Sequence, residues 1–553
     1  MFKGFVLFVL LSTGQVCLYG QGSVLMVGGG QENYNDWSDE PYGWFVQMAD
    51  SGKIINIDAS STSSWYPAYF KWLGAAISSH ELQIPSRTVA NDSATYLELI
   101  SAKGIFIEGG NQWPYVDYWK GTLVEEAVHY IFQNGGAIGG TSAGLAILGE
   151  FVFDAQNGSL YPDQVAYNPY YNRVSITDDF LEILPNIFTD SHFHTRARLG
   201  RLVPMMARRI QDHGNADIMG IGLDDNTAFC IAANGEGKAF GEGTVTILYK
   251  KPESYVSAIV NQAVTFTHLA YHQLIHGATF NIQSRQFIDT GSFLQPVGLP
   301  PAPSVSQDTV LNGSLEQTSE IGEVVITNLT SDPLNAWRGY LGQTAGTAIV
   351  PHSVIIPKLW NDLDLAENRF IGGMYGIATH PHYTAIYIDD NSHHQVSYPG
   401  ILTVDKLMII LDGYDMTHAG FNTSLNTNYP GIVGATLHFL GNGRQYDLMN
   451  HSPLVSIADP ISDGVADGFY LFGNYPNPFN PQTHISFRVP YQTRVRLEIL
   501  NVYGQIVEVL LEDNVTPGTY QITWKTAEHP SGVYFYRLNT PGFTATRKGI
   551  LLK

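Results

Sequence analysis

Residues 23–233 alternate short apolar runs with amphipathic stretches, and that rhythm restricts the chain more than any other feature. The runs over 23–27, 53–58, 104–107 and 136–140 have the length and bulk of strands. The stretches over 44–49, 68–77 and 123–132 read as helix, the last with Val124, Ala127, Val128 and Ile131 on one face. Strands that alternate with helices build a mostly parallel sheet covered by helices. Active sites of such sheets lie at the carboxyl ends of the strands. Here those ends are Gly28-Gly29-Gly30, Gly109-Gly110 and the segment around Ser142.

The chain has 553 residues, 44% of them apolar, so a sizeable core can be buried. Its formal charge of -21 argues against a nucleic-acid partner, because phosphates require a basic surface. Lys3, the apolar run 5–11 and the small and polar residues up to Gly20 describe a signal peptide at 1–20. No later segment has the roughly 18 uninterrupted apolar residues of a membrane span. Cys17 would leave with that peptide, and Cys230 lies in a strand-like run, the setting of a buried, inert thiol.

Composition then divides the chain. An α/β unit is expected over 21–290, followed by a stiff linker with Pro296, Pro300, Pro301 and Pro303. Residues 305–455 are rich in Thr, Asn, Tyr, Gly and His, lack helical periodicity and read as a β-rich domain of unknown role. After an Asp-, Gly- and Ser-rich break at 457–468, residues 469–553 show period-two strands such as 494–499, with turns at Tyr503-Gly504 and Ser531-Gly532. These describe a small antiparallel β-sandwich.

Chemistry concentrates in two places. Ser142 sits in Gly139-Gly140-Thr141-Ser142-Ala143-Gly144, between a buried strand and an apolar stretch. A serine at a tight strand-to-helix turn is a nucleophile elbow. A phosphate-binding loop would need Gly-Lys-Ser/Thr, which is absent. A serine needs a base to take its proton, and His192 is the best candidate, in a segment with Asp190, Arg196, Arg198 and Arg201. Those arginines could hold a carboxylate in bidentate geometry. His380, His382, His393 and His394 match no established metal-ligand spacing, so no metal and no cofactor are expected.

Residues 139–144, 190–201 and 222–228 resemble the three signature blocks of cyanophycinase and its relatives, the S51 serine peptidases, and 109–112 resembles a fourth. The resemblance implies a class I glutamine amidotransferase-like fold, an α/β three-layer sandwich of parallel sheet between helices. It implies Ser142 as nucleophile, His192 as general base and Asp225 as the residue that orients the histidine. The family usually has glutamate at that third position, which leaves the choice between Asp225 and Asp224 open. The backbone N–H groups of Ala143 and Gly110 would form the oxyanion hole. Gln112, Asp190, Arg196, Arg198 and Arg201 match positions at or near the substrate pocket, whereas Ser191 stands where cyanophycinases have glutamine. The implied reaction passes through an acyl-enzyme, cleaves aspartyl-linked peptide bonds and releases β-aspartyl-arginine from cyanophycin. The alternatives are an aspartyl dipeptidase or a non-catalytic binding protein with a drifted triad. The three side chains are expected to meet at the rim of one sheet.

Asn474-Tyr475-Pro476-Asn477-Pro478-Phe479, Val502-Tyr503-Gly504-Gln505, Ser531-Gly532-Val533-Tyr534 and the run 548–553 resemble the C-terminal sorting domain of the type IX secretion system. With the signal peptide, this implies a secreted or surface protein that meets that machinery. The oligomeric state stays open, with a homodimer as one alternative.

Overall fold

The computed structural model describes residues 22–454 and 470–551, apart from positions 62, 76–78, 214–216, 299–304, 306, 333–334, 337, 361–365, 424–426, 472–473, 475–478, 490, 503, 517, 527–528 and 542. The expected signal peptide, most of the proline-rich linker and the break at 457–468 lie outside the described residues.

The chain opens β1 (Ser23–Val27), α1 (Asp39–Met48), β2 (Ile54–Asp58), α2 (Trp65–Trp72), β3 (His80–Gln83), α3 (Arg87–Ala90), α4 (Ser93–Ile100), β4 (Gly104–Ile107), α5 (Gln112–Trp119) and α6 (Leu123–Gln133). It continues β5 (Ala137–Thr141), α7 (Ala143–Ala146), β6 (Gly149–Phe153), α8 (Pro162–Tyr167), β7 (Ile176–Thr177), β8 (Leu184–Asp190), α9 (Leu199–His213), β9 (Met219–Leu223) and β10 (Thr227–Ile231). Then come β11 (Glu236–Gly241), β12 (Val245–Lys250), β13 (Val256–Ser257), β14 (Thr265–Leu274), β15 (Thr279–Asn281) and β16 (Gln286–Asp289). The α1 helix begins five residues before the expected start at Trp44. Pro41 marks its first turn, where a missing N–H is harmless, and Asp39 and Glu40 suit the positive end of the helix.

The strands form mixed sheets with parallel segments. In the first sheet β1, β5, β4, β2 and β3 are neighbours and all parallel, while β10, β11, β15 and β16 extend it antiparallel from β1. Leu25, Val27 and Phe106 of this sheet pack with Phe45, Tyr69 and Phe70 of α1 and α2. Val24, Met26, Ile57 and Ile107 instead join Trp119 and Val128 of α5 and α6, and also Ile221 and Ile247 of a second sheet. Both faces of the parallel strands are therefore covered, which explains their continuous apolar runs.

In the second sheet β6, β8 and β9 are parallel and β12 and β14 follow antiparallel. β14 pairs along its length with Tyr429–Gly441, which pairs in turn with Leu407–Asp412. Backbone hydrogen bonding thus runs from the α/β half into the middle region without a gap. That region is β-rich but also contains α10 (Ala366–Thr379), which the sequence reading did not anticipate. Gly372, Gly373 and Gly376 break the apolar periodicity that would announce it. They serve close packing: a Cβ on Gly373 would lie 2.4 Å from the Tyr387 hydroxyl, and one on Gly376 2.5 Å from Val354 Cγ2.

The C-terminal region is β-rich, with two antiparallel sheets around Ile485, Phe487, Leu497, Ile499, Trp524, Tyr536 and Leu538. Among the described residues no helix is long and apolar enough to cross a membrane.

Three buried histidines give the fold a pH dependence. Nδ1 of His272 accepts the N–H of Gly434 at 3.1 Å, that of His438 the N–H of His268 at 3.2 Å, and that of His394 the N–H of Asp405 at 2.9 Å. Each of these nitrogens must be unprotonated to accept. Burial pushes His272 down to about 3 and His394 down to about 4, and it holds His438 well below its ordinary value. The unfolded chain binds these protons first, so stability present above pH 6.5 is lost as pH falls toward 4. Denaturant titrations should show unfolding free energy falling by as much as ~1.4 kcal/mol per pH unit for each histidine below pH 6.5. A His394→Asn variant should have a shallower slope, and a profile flat from pH 7 to 5 would contradict this account.

Candidate active site

β5 delivers its last residue, Thr141, to the carboxyl edge of the first sheet, and the chain reverses at once into α7. Ser142 at this turn has φ 51° and ψ -110°, a left-handed backbone that a non-glycine residue adopts only at a cost of roughly 1–3 kcal/mol. Its N–H donates to the Val27 carbonyl at 3.0 Å, and its carbonyl accepts from Ala146 N–H at 3.0 Å. The neighbours Thr141, Ala143 and Leu145 are buried, so the strained turn holds a half-buried hydroxyl at the edge of the sheet.

His192 follows β8, and Asp225 lies in the turn from β9 to β10. Ser142 Oγ and His192 Nε2 are 2.8 Å apart. On the other side of the ring, His192 Nδ1 hydrogen-bonds Asp225 Oδ1. An N–H on Nδ1, donated to the carboxylate, leaves Nε2 free to accept the serine proton. Asp225 Oδ2 also accepts from the Thr195 hydroxyl at 3.2 Å. The imidazole and carboxylate side chains are 13% and 22% exposed, so the line opens to solvent.

The expectation of one sheet rim needs correction. Ser142 comes from the first sheet, while β8 and β9 belong to the second. The two meet because β9 lies in one sheet and β10 in the other, so residues 224–226 bridge them. The end of β1 gathers the three loops. Val27, Gly28 and Gly29 carbonyls accept the N–H groups of Ser142, His192 and Asn226 at 3.0, 2.9 and 2.8 Å. A Cβ on Gly29 would stand 2.3 Å from His192 Cε1, so only glycine fits beneath the ring.

Asp224, the alternative third member, is fully buried and faces elsewhere. It accepts from His194 N–H and His194 Nδ1, both at 2.9 Å, and from the backbone and hydroxyl of Thr244. Burial opposes its ionisation, yet His194 and Thr244 hold its carboxyl below the usual range.

The remaining expected residues divide. Asp190 is buried and binds Arg201 through two bonds of 2.6 and 2.7 Å and Arg198 through one of 3.0 Å. Arg198 also donates to the carbonyl and hydroxyl of Ser191. Burial, together with the charge of Arg201, pushes Arg198 down to about 9. Arg198 and Arg201 therefore hold an internal carboxylate, and Arg201 is only 5% exposed. Arg196 alone of the three is exposed, and its guanidinium has no partner among the described residues. Gln112 opens α5 beside the Gly109-Gly110 loop and donates to the Phe153 carbonyl at 3.1 Å. Ala143 directly follows Ser142, and Gly109 packs against the serine, since a Cβ on it would lie 3.2 Å from Ser142 Cβ, whereas one on Gly110 would lie 3.3 Å from the Tyr115 hydroxyl.

Sequence reasoning missed an acidic set behind that loop. Glu108, 5% exposed, accepts from Ser63 N–H and Asn56. Burial, with nearby Asp58 and Glu81, pushes it up to about 7. Tyr115 hydrogen-bonds Asp58 at 2.5 Å. Glu32, raised by burial, accepts from Tyr42 at 2.7 Å and from Thr141 beside the serine at 3.5 Å. The available signal was position: Glu32, Asp58 and Glu108 all follow or end strands of the parallel sheet. The middle-region histidines lie apart. His382 sets its ring nitrogens against the carbonyls of Tyr414 and Gly298, and no group of three metal-binding side chains occurs among the described residues.

Residues 24–236 match Peptidase family S51, and residues 474–552 match the Secretion system C-terminal sorting domain. A cyanophycinase of Synechococcus elongatus is 31% identical over 211 residues, 37% of this chain and 61% of the relative. A cyanophycinase of Geminocystis herdmanii is 24% identical over 279 residues, 48% of this chain and 96% of the relative. A solved peptidase from an acI-B1 Actinobacterium superposes with TM-score 0.33 and 19% identity, over 47% of this chain and 97% of that one. The chain thus spans about three fifths of the first relatives it matches, and it joins a region similar to peptidase family S51 to one similar to a secretion-system sorting domain.

Proposed function

We propose that residues 21–290 form a secreted serine peptidase of cyanophycinase type that hydrolyses aspartyl-linked peptide bonds. The observation that carries this reading is the hydrogen-bonded line from Ser142 through His192 to Asp225. His192 Nε2 takes the proton of Ser142 as Oγ attacks the substrate carbonyl. Asp225 holds the imidazole in the required tautomer and stabilises its charge. The N–H groups of Gly110 and Ala143 stabilise the tetrahedral oxyanion. His192 then protonates the leaving amine, and water, activated by the same imidazole, releases the acyl group.

Parallel strands β5, β4, β2 and β3 beside β1, with α1 and α2 on one face, support the glutamine amidotransferase-like sandwich. The exposed guanidinium of Arg196, which has no partner among the described residues, supports recognition of a substrate carboxylate, as an aspartyl residue would supply. The sorting domain and the expected signal peptide support export through the type IX machinery to the surface or the medium. For residues 305–455, the pairing of β14 with Tyr429–Gly441 supports a structural role, because that strand covers an edge the peptidase unit would otherwise expose.

A fluorophosphonate probe should label the wild-type protein at Ser142, and Ser142→Ala should abolish the label. Absence of wild-type labelling would favour a binding protein. Asp225→Asn should lower kcat by on the order of 10⁴-fold through the wrong tautomer, whereas Asp224→Asn should chiefly lower the melting temperature. Release of β-aspartyl-arginine from cyanophycin would establish the polymer as substrate. Cleavage of aspartyl dipeptides alone would favour the dipeptidase. On whichever substrate is cleaved, Arg196→Ala should raise KM by roughly tenfold with kcat retained, the pattern of lost uniform binding.

A further inference from the structure

The middle region touches the turn that lies behind Asp225. Asn422 ends the strand His418–Asn422 and is fully buried. Its side-chain amide gives both N–H groups to the turn that leaves β11: Nδ2 lies 3.0 Å from the Gly241 carbonyl oxygen and 3.0 Å from the Glu242 carbonyl oxygen. Two protons meet two acceptors, so neither bond is made at the other's expense. The strand that carries Asn422 is itself anchored on both sides, by Leu294–Pro296 and by Tyr429–Gly441.

Asn226 rests on the turn held in this way. Glu242 N–H donates to the Asn226 carbonyl at 2.9 Å, and Glu242 Oε2 accepts from Asn226 Nδ2 at 2.7 Å. On its other side Asn226 binds the loop after β1: its N–H donates to the Gly29 carbonyl at 2.8 Å, and its Oδ1 accepts from Gln31 N–H at 3.0 Å. One residue further along the turn, Gly243 N–H donates to the Thr227 hydroxyl at 3.0 Å, which donates in turn to the Asp225 carbonyl at 2.9 Å. Glu242 and Gly243 therefore both hold the backbone around Asp225. The Asp225 carboxylate has two side-chain partners among the described residues, His192 and the Thr195 hydroxyl at 3.2 Å, so its direction is set by the backbone that carries it.

We propose that Asn422 is a positioning residue for Asp225, acting through Glu242 and Asn226, so that the middle region completes the active site as well as covering a sheet edge. This rests on the serine-peptidase reading. An apolar group at position 422 takes a donor from two carbonyls in the seam, a loss that the turn relieves by moving. Any movement passes to Asn226 and Thr227, the two residues that follow Asp225. A carboxylate displaced by about 1 Å no longer holds the imidazole for Ser142, and misplacement of that size costs on the order of 10²-fold in rate.

The test is a double-mutant cycle in the full chain, read as the second-order rate at which a fluorophosphonate labels Ser142. Well below the melting temperature, Asn422→Ala should slow labelling by roughly 10- to 100-fold. In the Asp225→Asn background the carboxylate is already gone, and the same replacement should slow labelling by about twofold at most. A replacement that only loosened the fold would slow both backgrounds by the same factor. If Asn422→Ala does not fold, Asn422→Leu, which fills the volume of the amide without its donors, provides the same comparison. Glu242→Ala breaks the link to Asn226 with Asn422 in place; it should give the same pattern and decides the matter if neither Asn422 variant folds. A wild-type rate, or equal slowing in both backgrounds, would overturn the proposal while leaving the triad reading intact. No labelling of wild-type Ser142 would overturn both.

Discussion

Three successive carbonyls at the end of β1 organise this molecule. Val27, Gly28 and Gly29 receive the N–H groups of Ser142, His192 and Asn226, so one short piece of backbone collects the loops that follow β5, β8 and β9. The three donors, Ser142, His192 and Asn226, have positive φ, at 51°, 45° and 51°. Such backbones persist only when the surroundings over-determine them, and here the same hydrogen bonds that hold the strain also set the spacing of the side chains. The two glycines make the approach possible. A Cβ on Gly28 would fall 1.9 Å from the Asp224 carbonyl oxygen, and one on Gly29 would enter the imidazole ring.

Around this spine, buried hydrogen-bonded pairs fix His192 and Asp225 from their flanks. Asp190 with Arg198 and Arg201 anchors the segment on either side of His192, and Asp224 with His194 anchors the residue beside Asp225. A buried pair of this kind contributes little net stability but is strongly destabilising to break. It therefore suits a place where geometry matters more than strength. The arrangement also explains why so many charged residues crowd one segment of a chain only 14% charged: most serve each other, and Arg196 is left facing outward.

The second sheet ties the site to the middle of the chain. β9, which leads into Asp225, pairs with β12, β12 with β14, and β14 with Tyr429–Gly441. The buried neutral histidines His272 and His438 lie on the two strands of that last pairing. Any loosening of the seam by acid would begin at β14, two strands away from β9, in the same hydrogen-bonded layer.

Local pattern alone determined the alternation of strands and helices, the glycine loops at the strand ends, the serine turn and the antiparallel C-terminal region. These depend on periodicity and on residues that tolerate special backbone, both of which are visible in short windows. Only tertiary structure decided what depends on separation in space. It placed Asp225 rather than Asp224 on the histidine, because adjacent residues in a tight turn face opposite ways. It turned Arg198 and Arg201 inward, because a buried aspartate must be paired. It hid α10 from pattern reading, because glycines needed for close packing erase the apolar stripe. It also brought Tyr115 and Asp58 behind the Gly109-Gly110 loop, a contact between α5 and the end of β2 that no spacing along the chain announces.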